Sequence, residues 1–193
     1  MLKKGCYVKM INILFPNIYI RKVFDIDFYK VYKLGYRGLI FDIDSTLVPH
    51  GSDSTKEVDE LFEKLQRIGF KTIFLSNNSA SRIERFNKNI NIAFIDEANK
   101  PNKNGYIKAI ERLEVEKSEI LLIGDQIFTD ILGANLTKID SVLVKYLLHE
   151  NEVKIGKKRR VEKAVLWIFF LTKWIFKKNS KIEKLKVNYN EKA

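Results

Sequence analysis

Short apolar runs that end in small or acidic residues alternate along this chain with segments whose apolar positions recur at helical spacing. YRGLIFDID, KTIFLSNNS, IAFIDEA, EILLIGD and SVLVKYL are runs of the first kind, which are typical of buried parallel strands. TKEVDELFEKLQRIGF is of the second kind, with apolar residues spaced from Val58 to Ile68 and Gly69 as a stop signal. Further helices are predicted over SRIERFNKN, from about Lys103, and after IGDQIFTD. This order predicts a doubly wound, Rossmann-like α/β fold with a parallel sheet and functional groups at the carboxyl ends of its strands.

The two ends of the chain depart from this alternation. About 35 residues precede the first strong strand, and a basic segment follows Leu148. We therefore predict an N-terminal extension over residues 1–35, an α/β core over 36–148 and a basic, aromatic helical tail over 149–193. MLKKGCYVKMINILF begins with basic residues, but Lys9 and Asn12 interrupt its apolar run, so no signal peptide is predicted.

The tetrapeptide FDID occurs twice, and only the second copy ends a clean apolar strand. The first copy holds Asp25 and Asp27; it follows YIRKV, which two basic residues interrupt, and it precedes DFYKVYKLG. That context is typical of a surface turn that caps a helix. The second copy holds Asp42 and Asp44 at the end of a predicted buried strand, where alternation puts positions i and i+2 on one side. This second pair is the candidate reaction centre.

The run Asp42-Ile43-Asp44-Ser45-Thr46 after a hydrophobic strand resembles the nucleophile motif of the haloacid dehalogenase (HAD) superfamily of phosphohydrolases. Companion residues follow in that family's order: Ser76 at the next strand end, Lys100 before a proline, and Asp125 and Asp130 in GDQIFTD. The resemblance covers roughly residues 38–144. FDIDSTLV, SNN, KP and GDQIFTDILGAN are most similar to the YqeG-type branch, which is related to phosphatidylglycerophosphate phosphatases.

This resemblance implies hydrolysis of a phosphate monoester through an aspartyl-phosphate, which divides a very slow reaction into two easier steps. Asp42 would be the nucleophile, and Asp44 would act as general acid and then as general base. Mg²⁺, a hard cation that prefers oxygen ligands, would be held by Asp42, the backbone carbonyl of Asp44, and Asp125. Asp130 would lie in the outer shell of the metal or position the loop of Asp125, although an acid also suits the first turn of a helix by itself.

The phosphoryl oxygens would be bound by Ser76, by Asn77 in the same strand-end turn, and by Lys100. Thr46 belongs to the same group of candidates, and we expect it to orient the nucleophile loop rather than to contact the substrate. The two histidines, His50 and His149, have no partner that the sequence identifies.

The spacing of the motifs leaves no room for a lid domain. About 29 residues separate Thr46 from Ser76 and about 23 separate Ser76 from Lys100, whereas units below about 40 residues seldom fold alone. Many members of the superfamily carry a cap in one of these gaps. We therefore predict a capless core with an open site, which suits a phosphate carried by a membrane, a protein or a nucleic acid.

The net charge of +11 is concentrated in the tail. From residue 151 onward the chain has 13 Lys or Arg against 4 Asp or Glu, a net +9, which leaves +2 for the rest. AVLWIFFLTKWIF has about 13 residues, fewer than the ~20 of a spanning helix. A helical wheel puts Arg159, Lys163, Lys173 and Lys177 on one arc. This pattern predicts reversible binding to an anionic membrane surface, and truncation after Leu148 is expected to spare hydrolysis of a soluble phosphate.

These features predict a Mg²⁺-dependent phosphatase that is cytoplasmic and peripheral on the inner face of the cell membrane. The YqeG-type resemblance implies phosphatidylglycerophosphate, a phospholipid, as the substrate. One alternative is a phosphatase for nucleic-acid ends or phosphoproteins. Another is a non-catalytic interaction protein at a membrane or ribosome, which has no need of both Asp42 and Asp44. The tail has two alternatives of its own, packing on the domain or on another subunit, while its clustered aromatics disfavour a nucleic-acid groove.

Overall fold

The computed structural model of the chain describes residues 12–149, 157–172 and 180–185. Its centre is a parallel sheet with the strands β1 (Ile18–Ile20), β2 (Gly38–Phe41), β3 (Lys71–Leu75), β4 (Ala93–Ile95), β5 (Ile120–Gly124) and β6 (Asp140–Val144). The strand order is β1-β6-β5-β2-β3-β4, and every neighbouring pair is parallel. The helices are α1 (Phe28–Lys33), α2 (Lys56–Ile68), α3 (Ala80–Asn87), α4 (Lys103–Leu113), α5 (Leu132–Thr137) and α6 (Lys157–Thr172). The predicted doubly wound α/β fold is confirmed.

Helices cover both faces of the sheet, which is why the central strands are apolar at every position. All residues of β2 and β5 are buried. Leu39 and Phe41 of β2 join a cluster with side chains of α1, α2 and α3, whereas Ile40 between them packs with side chains of α4 and α5. Alternate residues of one strand therefore supply two separate cores.

Helix α2 illustrates how local signals set the bounds of an element. The Thr55 hydroxyl accepts the N–H of Val58 at the amino end, and Gly69 adopts φ 102° at the carboxyl end. Between them Val58 and Leu65, among other apolar side chains, are buried against the sheet. The predicted helix, its spacing and its stop signal are confirmed.

The N-terminal region contributes to the core, so the predicted boundary at residue 36 is corrected. Residues 18–20 pair with β6 as an edge strand, and Phe28 and Val31 of α1 are fully buried. Asn17 helps to hold this edge, since its side chain accepts the N–H of Ser141 at 2.9 Å. The first FDID copy is confirmed as a helix cap, because the Asp27 carboxylate accepts the N–H of Lys30 at 3.0 Å.

The tail helix α6 packs on the domain with one face, as the alternative interpretation of the tail expected. Phe169 is buried beside Phe15, with ring centroids 5.5 Å apart, and Val165 and Leu166 contact an apolar cluster at the β6 side of the sheet. Arg159 also turns toward the domain, which corrects its assignment to one exposed basic arc with Lys163. Lys173 and Lys177 of that arc lie outside the described residues.

The opposite face of α6 carries four exposed apolar residues. Val161, Trp167, Ile168 and Leu171 are 53%, 65%, 40% and 53% exposed. We call these four residues the exposed face of α6. Among the helices that the structure describes, none combines the length and the apolar character needed to cross a membrane.

The gaps between the motifs contain only the connections of the sheet. A loop and α2 join β2 to β3, and α3 joins β3 to β4. Within the continuous stretch 12–149, no separate domain is inserted between β2 and β4, as the spacing predicted.

Candidate active site

The candidate site lies at the carboxyl edge of the two central strands. Asp42 directly follows β2 and Asp125 directly follows β5, and these strands are neighbours. The Asp42 N–H donates to the carbonyl of Ile123 at 3.0 Å, which extends the strand pairing to the nucleophile position. The chain continues from β2 toward one edge of the sheet and from β5 toward the other, so the site occupies the topological switch point where ligands bind in such folds.

Three buried carboxylates meet at this point. Asp42, Asp125 and Asp130 each offer an oxygen within 4.8 Å of the others. Asp130 was predicted as an outer residue, and the structure brings it into the same cluster, where its Oδ2 accepts the N–H of Gln126 at 3.0 Å. Gly124 allows this approach, since a Cβ at that position would lie 2.6 Å from the Asp130 side chain.

Lys100 is the cation at the centre of this cluster. Its Nζ donates to Asp42 Oδ1 at 2.5 Å and to Asp130 Oδ1 at 2.7 Å, and the lysine side chain is 4% exposed. Burial alone would lower the pKa of Lys100, but the carboxylates of Asp130 and Asp42 raise it, so the amine is charged. Burial raises the pKa of Asp42 to about 6 even though Lys100 opposes the rise.

Thr46 joins the ends of the two strands. Its hydroxyl lies 3.1 Å from Asp42 Oδ2 and 3.1 Å from Asp125 Oδ1. A hydroxyl has one hydrogen to donate, so it serves one of these oxygens at a time. The position agrees with the expectation that Thr46 orients the nucleophile loop.

Asp44 lies apart from the acidic cluster and has its own partners. Its carboxylate accepts the Gly51 N–H at 3.0 Å, the Asn78 amide at 2.6 Å and the Arg82 guanidinium at 2.9 Å. Burial favours the neutral form, but these hydrogen bonds and the charge of Arg82 hold the pKa of Asp44 below its usual range. His50, for which the sequence identified no partner, places Nδ1 3.4 Å from Asp44 Oδ2 while its side chain stays 74% exposed.

Ser76 and Asn77 form the turn after β3 and have different contacts. Ser76 is buried, and its hydroxyl accepts the N–H of Asn78 at 3.2 Å. The Asn77 side chain accepts the N–H of Lys100 at 2.6 Å and donates to the Lys100 carbonyl at 3.4 Å. The sequence grouped Asn77 with the phosphoryl-binding residues; the structure uses its side chain to hold the backbone of Lys100.

Three residues of the site were missed from the sequence. Asn78 and Arg82 contact Asp44, and the doubled asparagine after the strand was the available signal for the first of them. Arg159 of α6 contacts the Asp125 carboxylate through Nη2 and the Asp125 carbonyl through Nη1 at 2.9 Å. No local pattern pointed to Arg159, because its partner lies 34 positions away in the chain.

The carboxylate oxygens of this cluster suit a divalent cation as ligands. Four buried carboxylates, those of Asp42, Asp125, Asp130 and Glu162, lie here against the two cations Lys100 and Arg159, which leaves an excess of two negative charges. Burial and the charges of Asp42 and Asp130 raise the pKa of Asp125 well above its usual range, so the group is poorly compensated as an anion. Clustered carboxylate oxygens are the ligands that Mg²⁺ takes, and its charge would reverse that pKa shift.

Known proteins resemble this chain in sequence and in fold. The haloacid dehalogenase-like hydrolase profile matches residues 50–136. The protein named "Probable phosphatase YqeG" of Bacillus subtilis (strain 168) is 30% identical over 152 residues, which span 78% of this chain and 88% of that protein. An uncharacterized protein from Listeria monocytogenes serotype 4b superposes with TM-score 0.48 and 22% identity over 68% of this chain and 98% of its own. A further crystal structure reaches TM-score 0.53 at 12% identity over 70% of this chain and 84% of its own, a likeness of fold alone.

Proposed function

The chain belongs to the haloacid dehalogenase-like hydrolase family as a phosphatase of the YqeG type, and we propose from this that it dephosphorylates phosphatidylglycerophosphate at an anionic membrane surface. One observation carries the chemical part of the proposal. The buried carboxylate of Asp42 lies 2.5 Å from the charged Lys100, in a cluster of carboxylate oxygens that could bind a metal ion. A second acid, Asp44, lies two residues further along the chain and is held by other partners. The placement of the two acids supports these roles, whereas their pKa shifts in the metal-free protein, upward at Asp42 and downward at Asp44, do not. A divalent cation at the cluster would lower the pKa of Asp42 and keep the nucleophile ionised.

In the first step, an oxygen of Asp42 forms a bond to phosphorus while the ester P–O bond on the opposite side breaks. The electron pair of the broken bond stays on the leaving oxygen, and Asp44 donates a proton to that oxygen. Lys100 and Thr46, each on one oxygen of Asp42, orient the carboxylate for this attack. The products of the step are the free alcohol and an aspartyl-phosphate on Asp42.

In the second step, Asp44 takes a proton from a water molecule whose oxygen attacks phosphorus. The bond between phosphorus and Asp42 breaks, inorganic phosphate leaves, and the Asp42 carboxylate is restored. Arg82 and Asn78 keep Asp44 in one place through both proton transfers, since each donates to a different oxygen of its carboxylate.

The negative charge of the phosphoryl group must be compensated before Asp42 can approach it. Asp42, Asp125 and the carbonyl of Asp44 would hold Mg²⁺, with Asp130 in the same cluster; the ion would neutralise phosphoryl oxygens when it is bound. Lys100 supplies a further positive charge, and the Ser76 turn supplies donors for the remaining oxygens.

The lipid substrate is supported by the surroundings of the site. No inserted domain lies between β2 and β4, so a large substrate is not excluded by a lid. The exposed face of α6 adjoins the exposed basic residues Arg160 and Lys163, and α6 reaches the site through Arg159. Basic residues near an anionic surface contribute about 1 kcal/mol each, and buried apolar side chains add to that. These features favour a phosphate that is presented at a membrane surface.

Phosphate release from phosphatidylglycerophosphate in mixed micelles with Mg²⁺ tests the proposal, with the wild type measured beside Asp42→Asn. Release by the wild type alone is the expected result. Hydrolysis of a soluble chromogenic phosphate without release from the lipid would keep the phosphatase and reject the lipid. Nucleic-acid 3′ or 5′ phosphates and phosphopeptides would then be the substrates to assay.

Binding to vesicles tests the membrane part separately. The double variant Trp167→Ser, Ile168→Ser should lose cosedimentation with vesicles of phosphatidylglycerol and phosphatidylcholine, yet keep hydrolysis of the soluble phosphate. Ile107→Ser on α4 is the matched control, because Ile107 is 44% exposed and Ile168 is 40% exposed. Equal vesicle binding by all three proteins would reject α6 as the membrane-binding element.

A further inference from the structure

The C-terminal helix contacts the loop that carries two of the three clustered carboxylates. Arg159 donates through Nη1 to the backbone carbonyl of Asp125 at 2.9 Å and through Nη2 to the Asp125 carboxylate. The arginine side chain is 18% exposed and the Asp125 side chain is fully buried. A planar guanidinium that donates through two nitrogens sets the orientation of its partner and also supplies a positive charge. We call this pair of hydrogen bonds the fork; it restrains both the side chain and the peptide of Asp125.

Arg159 is itself held in place by its surroundings. Its Nη1 also donates to Glu162 at 3.0 Å, and its guanidinium lies 4.8 Å from the centre of the Tyr146 ring. Glu162 is buried, and its other carboxylate oxygen accepts the N–H of Phe128 at 3.3 Å. Helix α6 therefore contacts the loop after β5 at Asp125, Gln126 and Phe128.

We propose that Arg159 is a positioning residue of the metal site, which keeps Asp125 oriented for a divalent cation. The proposal deepens the phosphatase function and rests on it for its catalytic meaning. The Thr46 hydroxyl near Asp125 Oδ1 is shared with Asp42, whereas Arg159 Nη2 donates to Asp125 Oδ2. Partners of this kind orient metal ligands, and their loss typically weakens metal affinity about 10–100-fold.

When Arg159 is removed, the loss of orientation and the loss of positive charge should change the affinity for Mg²⁺ in opposite directions. The proposal can therefore be tested. Removing Arg159 makes the cluster more negative, so charge alone would make Mg²⁺ bind more tightly. Loss of orientation would make it bind more weakly. The sign of the change in affinity therefore distinguishes a positioning residue from a competing cation.

The experiment is calorimetric titration of the full-length, metal-free protein with MgCl₂. Arg159→Gln should raise the Kd for Mg²⁺ about 10-fold or more, and Arg159→Lys, which keeps the charge but not the fork, should recover only part of that loss. Arg160→Gln is the matched control, an exposed neighbour with the same change of charge, and should leave the Kd within about twofold. An unchanged or lower Kd in Arg159→Gln overturns the proposal.

Two further measurements keep the test decisive. If Arg159→Gln does not fold by circular dichroism, Arg159→Lys keeps the charge and loses the two parallel donors; it should still raise the Kd, whereas charge alone would leave the Kd unchanged. In steady-state assays, Arg159→Gln should need more Mg²⁺ for half-maximal rate while regaining most of the wild-type kcat at saturating Mg²⁺. A wild type that binds Mg²⁺ but hydrolyses no phosphate would reject the proposed function alone, because the Kd comparison needs no substrate.

The same contacts give a different expectation for truncation. A protein cut after Leu148 would lose Arg159 and Glu162 together with the exposed face of α6. Hydrolysis of a soluble phosphate at low Mg²⁺ should therefore decrease on truncation, whereas the sequence had predicted that it would be spared.

Discussion

Replacing Asp42 by asparagine should stabilise the metal-free protein while it abolishes turnover. Asp42 is 8% exposed and lies among two other buried carboxylates. Asparagine has nearly the same shape, its carbonyl oxygen can accept from Lys100, and its amide can donate to Thr46. The substitution therefore removes a buried negative charge and changes little else.

The magnitude follows from the pKa of Asp42, which burial raises from 3.8 to about 6 against the opposing charge of Lys100. One pKa unit corresponds to about 1.4 kcal/mol, so ionised Asp42 lowers the free energy of unfolding by about 3 kcal/mol at pH 7 relative to a neutral side chain. For a chain of this size, the variant should gain roughly 6–12 °C in Tm.

The direction of the pH dependence follows from the same shift. A raised pKa means that the folded protein holds this proton more tightly than the unfolded chain does. The contribution of Asp42 to stability is therefore fully present below pH 3.8, declines as the pH rises to about 6, and stays at its lower value above that. The advantage of Asp42→Asn should be about 3 kcal/mol at pH 7 and about half of that at pH 5.

Urea unfolding of the two proteins at pH 7 and at pH 5, in EDTA, measures this difference. Asp53→Asn, at an exposed position, is the control and should change the free energy of unfolding by less than about 0.5 kcal/mol. Added Mg²⁺ should narrow the gap at pH 7, since the wild type gains more from ligation. A variant no more stable than the wild type in EDTA at pH 7, or a gain equal at both pH values, would refute the argument.

Three further predictions concern the partners of the acids. Lys100→Gln leaves buried carboxylates without their cation, so in EDTA it should lower the free energy of unfolding by about 3–5 kcal/mol in a urea titration. Gly124→Ala introduces a Cβ 2.6 Å from the Asp130 side chain. It should lower the free energy of unfolding by about 1–3 kcal/mol and raise the Kd for Mg²⁺ in calorimetry, and an unchanged Kd would contradict this. Arg82→Gln removes one of the groups that, with the hydrogen bonds from Gly51 and Asn78, lower the pKa of Asp44. The alkaline limb of kcat/KM should therefore move to higher pH, and an unmoved limb would argue against Asp44 as the acid.

The site residues that could be predicted from the sequence are those that directly follow a strand. Asp42, Ser76 and Asp125 each follow an apolar run that the sequence displays clearly, and parallel strands bring their carboxyl ends to one edge. Lys100 could be predicted only from the order of the motifs in the related family, because the following proline is the only local feature that distinguishes it from the many other lysines.

Two parts of the fold could not be foreseen, and both depend on partners distant in the chain. Strand β1 has three residues and no periodicity of its own; it forms because β6 offers a free edge and Asn17 bonds to Ser141 beside it. The sequence left open whether the tail helix lies on a membrane or packs on the domain, and a helical wheel alone placed Arg159 with Lys163.

The sequence by itself determined the fold class, the family and the acids at the strand ends, because apolar periodicity and motif order are local properties of the chain. The tertiary structure decided how those acids differ. Asp44 is paired with Asn78 and Arg82, whereas Asp125 is paired with Arg159 from the tail. The environment of a carboxylate depends on which distant side chains the packed chain brings within a few ångströms, and no local pattern carries that information.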